Sequence, residues 1–234
     1  MENKTGKYFK YAIGEIILVV IGILIALQIN NWNENRKTDD IRENYLKQLL
    51  VDLETDKIYY NNMISTLELF AEGYNDFYKI YGEPGLNASK FILEIQKINF
   101  LHFEIEFKTS TIKTLISTGD IKLFESTLRN KLTTYNGKQK HIMTVSNRNA
   151  NSSQDILKNA MMNGANSDLL LRLQNQPNFS EYLNIEKNFP KLVLELEAFL
   201  NWKKLTENYT ISSFNSLIKK SDNIIESINK ELAK

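Results

Sequence analysis

A long apolar stretch near the N-terminus constrains this chain more than any other feature. Between Ala12 and Ile29 the only strongly polar residues are Glu15 and Gln28. At 1.5 Å per residue these roughly 18 residues span about 27 Å as a helix, close to the hydrocarbon thickness of a bilayer. A core helix of a soluble protein seldom lacks a polar face over such a length. The sequence therefore predicts a transmembrane helix at residues 11–32.

The flanks of this stretch favour an anchor that is retained over a signal peptide that is removed. Apolar regions of signal peptides run about 7 to 15 residues, and a small-x-small cleavage site follows them. Here the chain continues as LQINN, and the absence of Cys excludes a lipoprotein anchor. Aromatic side chains favour the membrane interface, so we expect Tyr8 and Tyr11 at one rim and Trp32 at the other.

The sequence around this helix resembles a known family. The segments GEI, VVIGILIAL and INNWNE, between Gly14 and Glu34, are similar to the N-terminal signature of an uncharacterised family of bacterial single-pass membrane proteins. TLISTGDIKLF, followed by LRNKL and Tyr135, is similar to the middle region of that family. The resemblance implies location and architecture but no activity. Members of the family often carry a longer basic and aromatic N-terminal tail than this sequence shows.

Charges around the predicted helix bear on its orientation. Lys7 and Lys10 lie closer to the apolar edge than Arg36 and Lys37 do on the other side. Cytoplasmic flanks are enriched in Lys and Arg. We expect a single-pass protein of the inner, cytoplasmic membrane, with residues 1–10 as a short cytoplasmic tail and residues 33–234 as an extracytoplasmic domain.

One face of the membrane helix carries small residues and an acid. Gly22 and Ala26 form a small-x-x-x-small pair, a spacing that lets two helices approach closely. Glu15 falls on the same face, seven residues before Gly22. An ionisable group inside a membrane suggests a functional role, whereas a carboxylate in the first turns of a helix is also favoured by the helix dipole. We expect self-association through Glu15, Gly22 and Ala26, forming a homo-oligomer.

The remainder of the chain has the composition of an all-α fold. Gly 9 and Pro 3 are low counts for 234 residues, and helices tolerate few of either. Apolar residues recur every seven residues from Leu46 to Tyr81, with a second set starting at Leu49. Asp56 is the one polar break in that stripe, and we expect it to face solvent, the alternative being a buried group that fixes helix register. Asp40 to Glu43 either caps a new helix or lies within one that continues from the membrane.

The later sequence indicates shorter helices and a second long one. The motif GEPG, from Gly82 to Gly85, predicts a turn, residues 100–107 an extended segment, and Gly119 a helix stop. Residues 147–153 are rich in Asn and predict a loop. Pro190 predicts the first turn of a final helix about 40 residues long, whose inward side includes Leu205. The predicted fold class is all-α: an N-terminal transmembrane helix followed by an elongated antiparallel helical bundle with two long helices.

Sequence motifs for chemistry are few. His102 and His141 are the only histidines, and neither has the spacing of a zinc motif. Near-equal totals, Lys+Arg 29 and Asp+Glu 28, argue against a nucleic-acid partner. We expect a non-enzymatic, membrane-anchored scaffold or protein-interaction module of the bacterial cell envelope, without a cofactor or metal, whose partners are the lipid bilayer, itself and an unknown envelope protein. A ligand-binding sensor acting through a partner is the alternative, and a hydrolase is the less favoured one.

Overall fold

The computed structural model describes residues 4–107, 110–163, 169, 172–173 and 175–233. This described part is 88% helical and contains no strand, which confirms the all-α prediction. Its α-helices, numbered in chain order, are α1 (Lys4–Tyr78), α2 (Ala88–Ile95), α3 (Ser110–Thr118), α4 (Ser126–Met162), α5 (Pro177–Leu183) and α6 (Ile185–Leu232). Short 3-10 helices at Lys79–Gly82 and Asp120–Leu123 follow α1 and α3.

Helix α1 is unbroken over 75 residues. Residues 12–41 are exposed, and among the described side chains the first buried one is that of Leu46. From there to Phe77 the predicted heptad faces the core, with Leu53, Tyr60 and Phe70 among its buried members. Asp40 and Glu43 lie inside the helix, so of the two alternatives that the sequence left open, the structure shows the continuous helix. Helix α1 therefore continues without a break past the point at which the predicted membrane segment ends.

The C-terminal half of α1 packs with α4 and α6 into an elongated bundle. Helix α6 runs antiparallel to α1. Lys57 of α1 pairs with Asp222 near the C-terminal end of α6, and Tyr81, just beyond α1, forms a hydrogen bond with Glu197 near the N-terminal end of α6. Helix α4 runs parallel to α1, with its start near the C-terminal end of α6, where Lys131 contacts Ser227. The end of the bundle nearest the exposed part of α1 therefore contains the C-terminal end of α6.

Two apolar clusters form the core. The cluster nearer the exposed part of α1 includes Leu49, Leu132, Phe214 and Ile228. The distal one includes Tyr74, Phe91, Leu196 and Phe199. Full burial of one large apolar side chain contributes about 1.5 to 3 kcal/mol, so these clusters provide the main driving force for bundle formation.

Extended chain and turns between the helices follow several sequence predictions. The segment from Asn99 to Phe107 is neither helix nor strand, as expected, and we call it the strap. The turn at Gly82–Gly85 is present, with Gly85 at a φ of 78°. Gly119 ends α3 at a φ of 80°, a left-handed conformation that a residue without Cβ adopts at little cost. The strap returns the chain along the bundle from its distal end.

Four local predictions were wrong. Residues 147–153 lie within the continuous 37-residue helix α4, so the bundle has a third long helix where a loop was expected. Pro190 lies inside α6, which begins five residues earlier at Ile185. Leu205 is 64% exposed, and Tyr81, the last member of the first heptad series, is 49% exposed beyond the end of α1.

Candidate functional site

The residues predicted to pack in the membrane all lie on the exposed part of α1. Glu15, Gly22 and Ala26 have exposed positions, and a Cβ added to Gly22 meets nothing within 4 Å. Trp32 is 64% exposed. Tyr8 and Tyr11 belong to α1, but their side chains lie outside the part that the structure describes. The predicted face is thus fully accessible to a second helix.

The N-terminal half of α1 is long and apolar enough to cross a membrane. Its most apolar window of 18 residues has a mean hydropathy of 2.6, and none of that window is buried against the rest of the protein. A core helix would be largely covered, so packing within this chain does not account for the apolar surface. A signal sequence near an N-terminus passes the same test of length and composition.

A polar stretch of α1 separates the apolar segment from the bundle. We call residues 33–44 the stalk; nearly all of its positions are exposed. Lys37 pairs with Glu34 and Arg42 with Asp39, each three residues apart on the helix. Such pairs stabilise a solvated helix by about 0.2 to 0.5 kcal/mol each. At 1.5 Å per residue the stalk is about 18 Å long.

Inside the bundle, Asp56 is the centre of a buried polar network. Its Oδ2 accepts hydrogen bonds from the Tyr135 hydroxyl at 3.0 Å and from Gln139 Nε2 at 2.9 Å. The Tyr60 hydroxyl also donates to Oδ2 at 3.3 Å. Ser221 Oγ on α6 donates to the Tyr135 hydroxyl at 3.1 Å. The network therefore joins α1, α4 and α6 at one level of the bundle.

Asp56 was expected to face solvent, and that prediction was wrong. Its side chain is only 6% exposed. Asp56 lies seven residues after Leu49, in the second set of heptad positions, and the whole of that set faces the core of the bundle. Burial raises the pKa values of Tyr60 and Tyr135, and the nearby Asp56 carboxylate adds to both shifts. Both hydroxyls therefore stay protonated as donors. A buried carboxylate with several donors favours one alignment of three helices over any slipped alignment.

A second polar group lies in a cleft beneath the strap, towards the distal half of the bundle. We call it the Lys203 cleft; it has a volume of about 40 Å³. The cleft is lined by residues of α1, the strap, α4 and α6. Its apolar surface includes Met63, Phe103, Ile105 and Ala150. Its polar lining is formed by seven side chains: His102, Ser146, Ser153, Lys203, Thr206, Glu207 and Thr210.

Lys203 and Glu207 form a buried ion pair in this cleft. They are 3% and 7% exposed, and Lys203 Nζ lies 2.6 Å from Glu207 Oε1. Lys203 Nζ also donates to the Leu101 carbonyl of the strap at 2.5 Å and lies 5.1 Å from the centre of the Phe70 ring. The ammonium group thus has three partners, one of which fastens the strap to α6.

The carboxylate of this pair is less well satisfied than the ammonium. Glu207 Oε2 has no hydrogen-bond partner among the described residues, and neither does His102 Nδ1. Burial raises the pKa of Glu207, although the attraction of Lys203 opposes that shift. Burial lowers the pKa of His102, and Lys203 lowers it further. Both atoms are themselves buried, and an interaction with the Tyr74 hydroxyl also opposes the rise in the pKa of Glu207.

Catalytic or metal-binding groupings are not evident in the described residues. Within them, no three His, Asp or Glu side chains come close enough to hold a metal ion. His141 is exposed on α4, far in sequence from His102. The acidic pair of the strap, Glu104 and Glu106, is exposed.

Sequence reasoning missed the Lys203 cleft. Its signal was the helical phase of α6: Phe199, Lys203, Thr206, Thr210 and Phe214 follow one another at spacings of three and four, on the buried side. Charged residues are rarely fully buried unless they are paired. Lys203 and Glu207, four residues apart on that side, were therefore identifiable as a candidate buried pair.

Comparison with known proteins gives one match. The model of a family described as "Family of unknown function (DUF6090)" matches residues 15–81. The match begins at Glu15, covers the apolar segment and the stalk, and ends just beyond α1. Searches of curated proteins and of solved structures found no match.

Proposed function

We propose that this protein is a membrane-anchored helical interaction module. The observation that carries the proposal is the continuity of α1, which includes an uncovered apolar segment, an exposed stalk and a part of the bundle core. An unbroken helix transmits position and orientation along its length, so anchoring in the bilayer would hold the bundle at a set height. The matched region, residues 15–81, comprises these same three parts.

In this proposal the module is a component of the bacterial cell envelope. Residues 1–10 face the cytoplasm, because Lys7 and Lys10 lie next to the apolar segment and such flanks stay inside. The bundle is extracytoplasmic and the protein crosses the inner membrane once, as a signal anchor. The bundle acts by binding and not by catalysis, and its partner is another envelope protein or a second copy of the chain.

Self-association through the membrane segment is part of the proposal. The face formed by Glu15, Gly22 and Ala26 is exposed with respect to the described residues of the protein. Small residues let helix backbones approach closely, and dispersion contacts between them stabilise the pair. Glu15 adds a polar group that gains a partner when two copies meet, since an isolated carboxyl group is costly in hydrocarbon.

Cross-linking of the full-length protein in membranes tests this function. We expect wild type to give a cross-linked dimer or higher oligomer, and Gly22→Ile to reduce its yield severalfold by filling the groove between the helices. Gly14→Ile is the matched control. Gly14 is exposed on the same segment but about 80° away around the helix from Gly22, given 100° per residue.

The outcomes separate the membrane face from the bundle. Equal cross-linking of wild type and Gly22→Ile would contradict self-association through this face. A loss with Gly14→Ile as large as with Gly22→Ile would indicate a general effect on insertion. Glu15→Gln removes the charge but keeps hydrogen-bonding capacity, so a loss with that variant alone would assign the contact to an ion pair.

A further inference from the structure

The outward surface of α4 carries an excess of positive charge. Its only acidic residue is Asp155, and its Lys and Arg residues are Arg129, Lys131, Lys138, Lys140, Arg148 and Lys158. At 100° per residue, four of these basic side chains lie within about 100° of one another around the helix. We call these four the basic face: Arg129, Lys140, Arg148 and Lys158. Arg129 is half-buried, the other three are exposed, and none forms an ion pair with another described residue.

The outward surface of α1 within the bundle carries the opposite charge. Four acidic side chains are exposed there: Glu54, Glu68, Glu72 and Asp76. Glu54 pairs with Lys57, and Asp76 with Lys79, each three residues along the chain. Exposed pairs of this kind contribute little free energy and are readily exchanged for other partners. Glu68 and Glu72 form no ion pair in the described part of the protein.

A row of apolar side chains lies among these acids. Val51, Ile58 and Leu69 are 60, 62 and 63% exposed, and no other large apolar side chain of α1 between Leu46 and Tyr78 is exposed. At 100° per residue the three lie within about 20° of a single line along the helix. We call this row and the four acids the acidic face. Exposed apolar side chains with a charged rim indicate a contact surface.

Hydrogen bonds between α1 and α4 give the relative height of the two faces. They join Asp56 to Tyr135 and Tyr60 to Gln139, and the residue numbers in each pair differ by 79. Helices α1 and α4 run parallel. Each residue of α4 therefore lies level with the α1 residue whose number is 79 lower.

This relation brings positive charges of α4 level with negative charges of α1. At 1.5 Å per residue, Arg148 lies about 1.5 Å along the bundle axis from the level of Glu68. Lys158 lies about 4.5 Å from the level of Asp76, and Arg129 about 6 Å from that of Glu54. The long side chains of Lys and Arg reach across such offsets.

We propose that neighbouring copies of the chain dock side by side, with the basic face of one bundle on the acidic face of the next. The proposal rests on the proposed anchoring, because copies held by the same apolar segment stand at the same height above the bilayer. Equal height brings the matched charges together. The alkyl stems of Lys and Arg pack on apolar surface while their charged ends remain in water, so this partner also covers Val51, Ile58 and Leu69.

Other partners fit these faces less well. Two acidic faces brought together would place like charges opposite one another, which is unfavourable. A flat bilayer would meet only one end of the basic face, because Arg129 and Lys158 are about 43 Å apart along a bundle that stands on its membrane helix.

The contact also differs from the membrane face of Gly22 and Ala26. Helix pairs with small residues at this spacing commonly cross at about 40°. Two copies of α1 that meet at Gly22 therefore diverge towards their bundles, and their acidic faces stay uncovered for a further copy.

Cross-linking between two differently tagged full-length copies in bacterial inner membranes tests the contact. One copy carries Ser65→Cys and the other Thr144→Cys, in a chain without native Cys. Both positions are exposed, and their numbers also differ by 79, so they lie at one level. A short bismaleimide should join the two copies in high yield. Raising sodium chloride from about 0.05 to 0.5 M should lower that yield, because salt screens exposed charges.

Charge reversal links this product to the two faces. Arg148→Glu, on the copy with Thr144→Cys, should lower the yield at least about threefold. Glu68→Lys together with Glu72→Lys, on the copy with Ser65→Cys, should restore it. Lys219→Glu is the matched control and should keep the full yield, since Lys219 is exposed on α6 and forms no ion pair among the described residues.

Four results would overturn the proposal. These are no product between the Ser65→Cys and Thr144→Cys copies, an equal product when both copies carry Ser65→Cys, an effect of Arg148→Glu no larger than that of Lys219→Glu, and a yield that the paired Lys substitutions do not restore.

Gly22→Ile separates this contact from self-association in the membrane. A product that persists in Gly22→Ile supports docking of the bundles whatever the membrane face does. Its absence from copies that still cross-link through the Gly22 face overturns docking alone.

Discussion

At the scale of single residues, buried polar side chains determine how the three long helices align. Asp56 lies at a core position of α1 and receives donors from α1 itself and from α4. Tyr135 connects this carboxylate to Ser221 on α6. An apolar core tolerates small slips between helices, whereas a carboxylate that loses its donors is left buried and unsatisfied. The network therefore contributes specificity in addition to stability.

The hydroxyl of Tyr135 should matter more than an exposed hydroxyl of the same type. Tyr135→Phe removes one donor to Asp56 and the acceptor of Ser221, so we expect a loss of about 1 to 3 kcal/mol in the free energy of unfolding. Denaturant unfolding of the full-length protein, followed by circular dichroism, measures this loss. Tyr81→Phe, which removes an exposed hydroxyl bonded to Glu197, should cost less than about 1 kcal/mol. Equal effects of the two variants would contradict the role given to the network.

Glu207 predicts a pH dependence of defined sign. Burial raises its pKa above the ordinary value of 4.5 in the folded state, so the folded protein retains a proton that the unfolded chain has released. Stability from this group is therefore present at low pH and is lost as pH rises from about 4.5 through the folded pKa. The difference in unfolding free energy between wild type and Glu207→Gln should decline over that range. A difference that grows with pH would show that attraction to Lys203 outweighs burial.

Periodicity in the sequence predicted which apolar residues are buried more reliably than it predicted the polar ones. Leu53, Tyr60 and Phe70 lie in the core as the heptad requires. Asp56 and Lys203 each lie on the buried face of their own helix. They were not assigned to the core from the sequence, because charged residues are usually exposed to solvent. Asp56 depends on Tyr135 and Gln139 from α4, which are distant in sequence and carry no local signal. Lys203 pairs with Glu207 on its own helix, so that pair did carry a local signal.

At the scale of elements, polar composition concealed the length of α4. Residues 147–153 look like a loop, yet Ser146, Ala150 and Ser153 are small and buried, at spacings of four and three. Small residues allow α4 and α6 to approach closely. Asn147 binds the strap through its side chain, accepting from the Ile105 N–H at 2.9 Å and donating to the Ile105 carbonyl at 3.2 Å. The asparagine thus supports tertiary structure while remaining inside a helix.

The continuity of α1 through the stalk is a separate prediction at this scale. Because the chain has no Cys, spin labels attach only to engineered cysteines at Asn30 and Asn44, both of which are exposed. Fourteen residues of helix give a backbone separation of about 21 Å, and pulsed electron spin resonance should show one narrow distance distribution. Asp39→Pro removes a helix hydrogen bond and should broaden it. Asp39→Ala is the control and should leave it narrow; a broad distribution in wild type would contradict an unbroken stalk.

At the scale of the whole molecule, the architecture divides the chain into an uncovered half-helix and a packed bundle. The bundle begins at Leu46, about 20 Å along the helix from Trp32. Its near end holds the C-terminal turns of α6, and its far end holds α2 and the turn after α1. The fold class could be predicted from apolar periodicity and low Gly and Pro content. The extended conformation of the strap could be predicted too. Its position on the bundle and the Lys203 cleft could not, because they arise where four distant segments meet.

The most direct test is whether α1 crosses a membrane with the bundle on the far side. Single cysteines at Thr5 and Asn208, placed one at a time in this Cys-free chain, report the two sides when the protein is expressed in a bacterial inner membrane. A membrane-impermeant maleimide added to cells with a permeabilised outer membrane should label Asn208→Cys at once, and Thr5→Cys only after lysis. The protein should also remain in the pellet after alkaline carbonate extraction. Labelling in the opposite order, or release of the full-length chain by carbonate, would contradict the account.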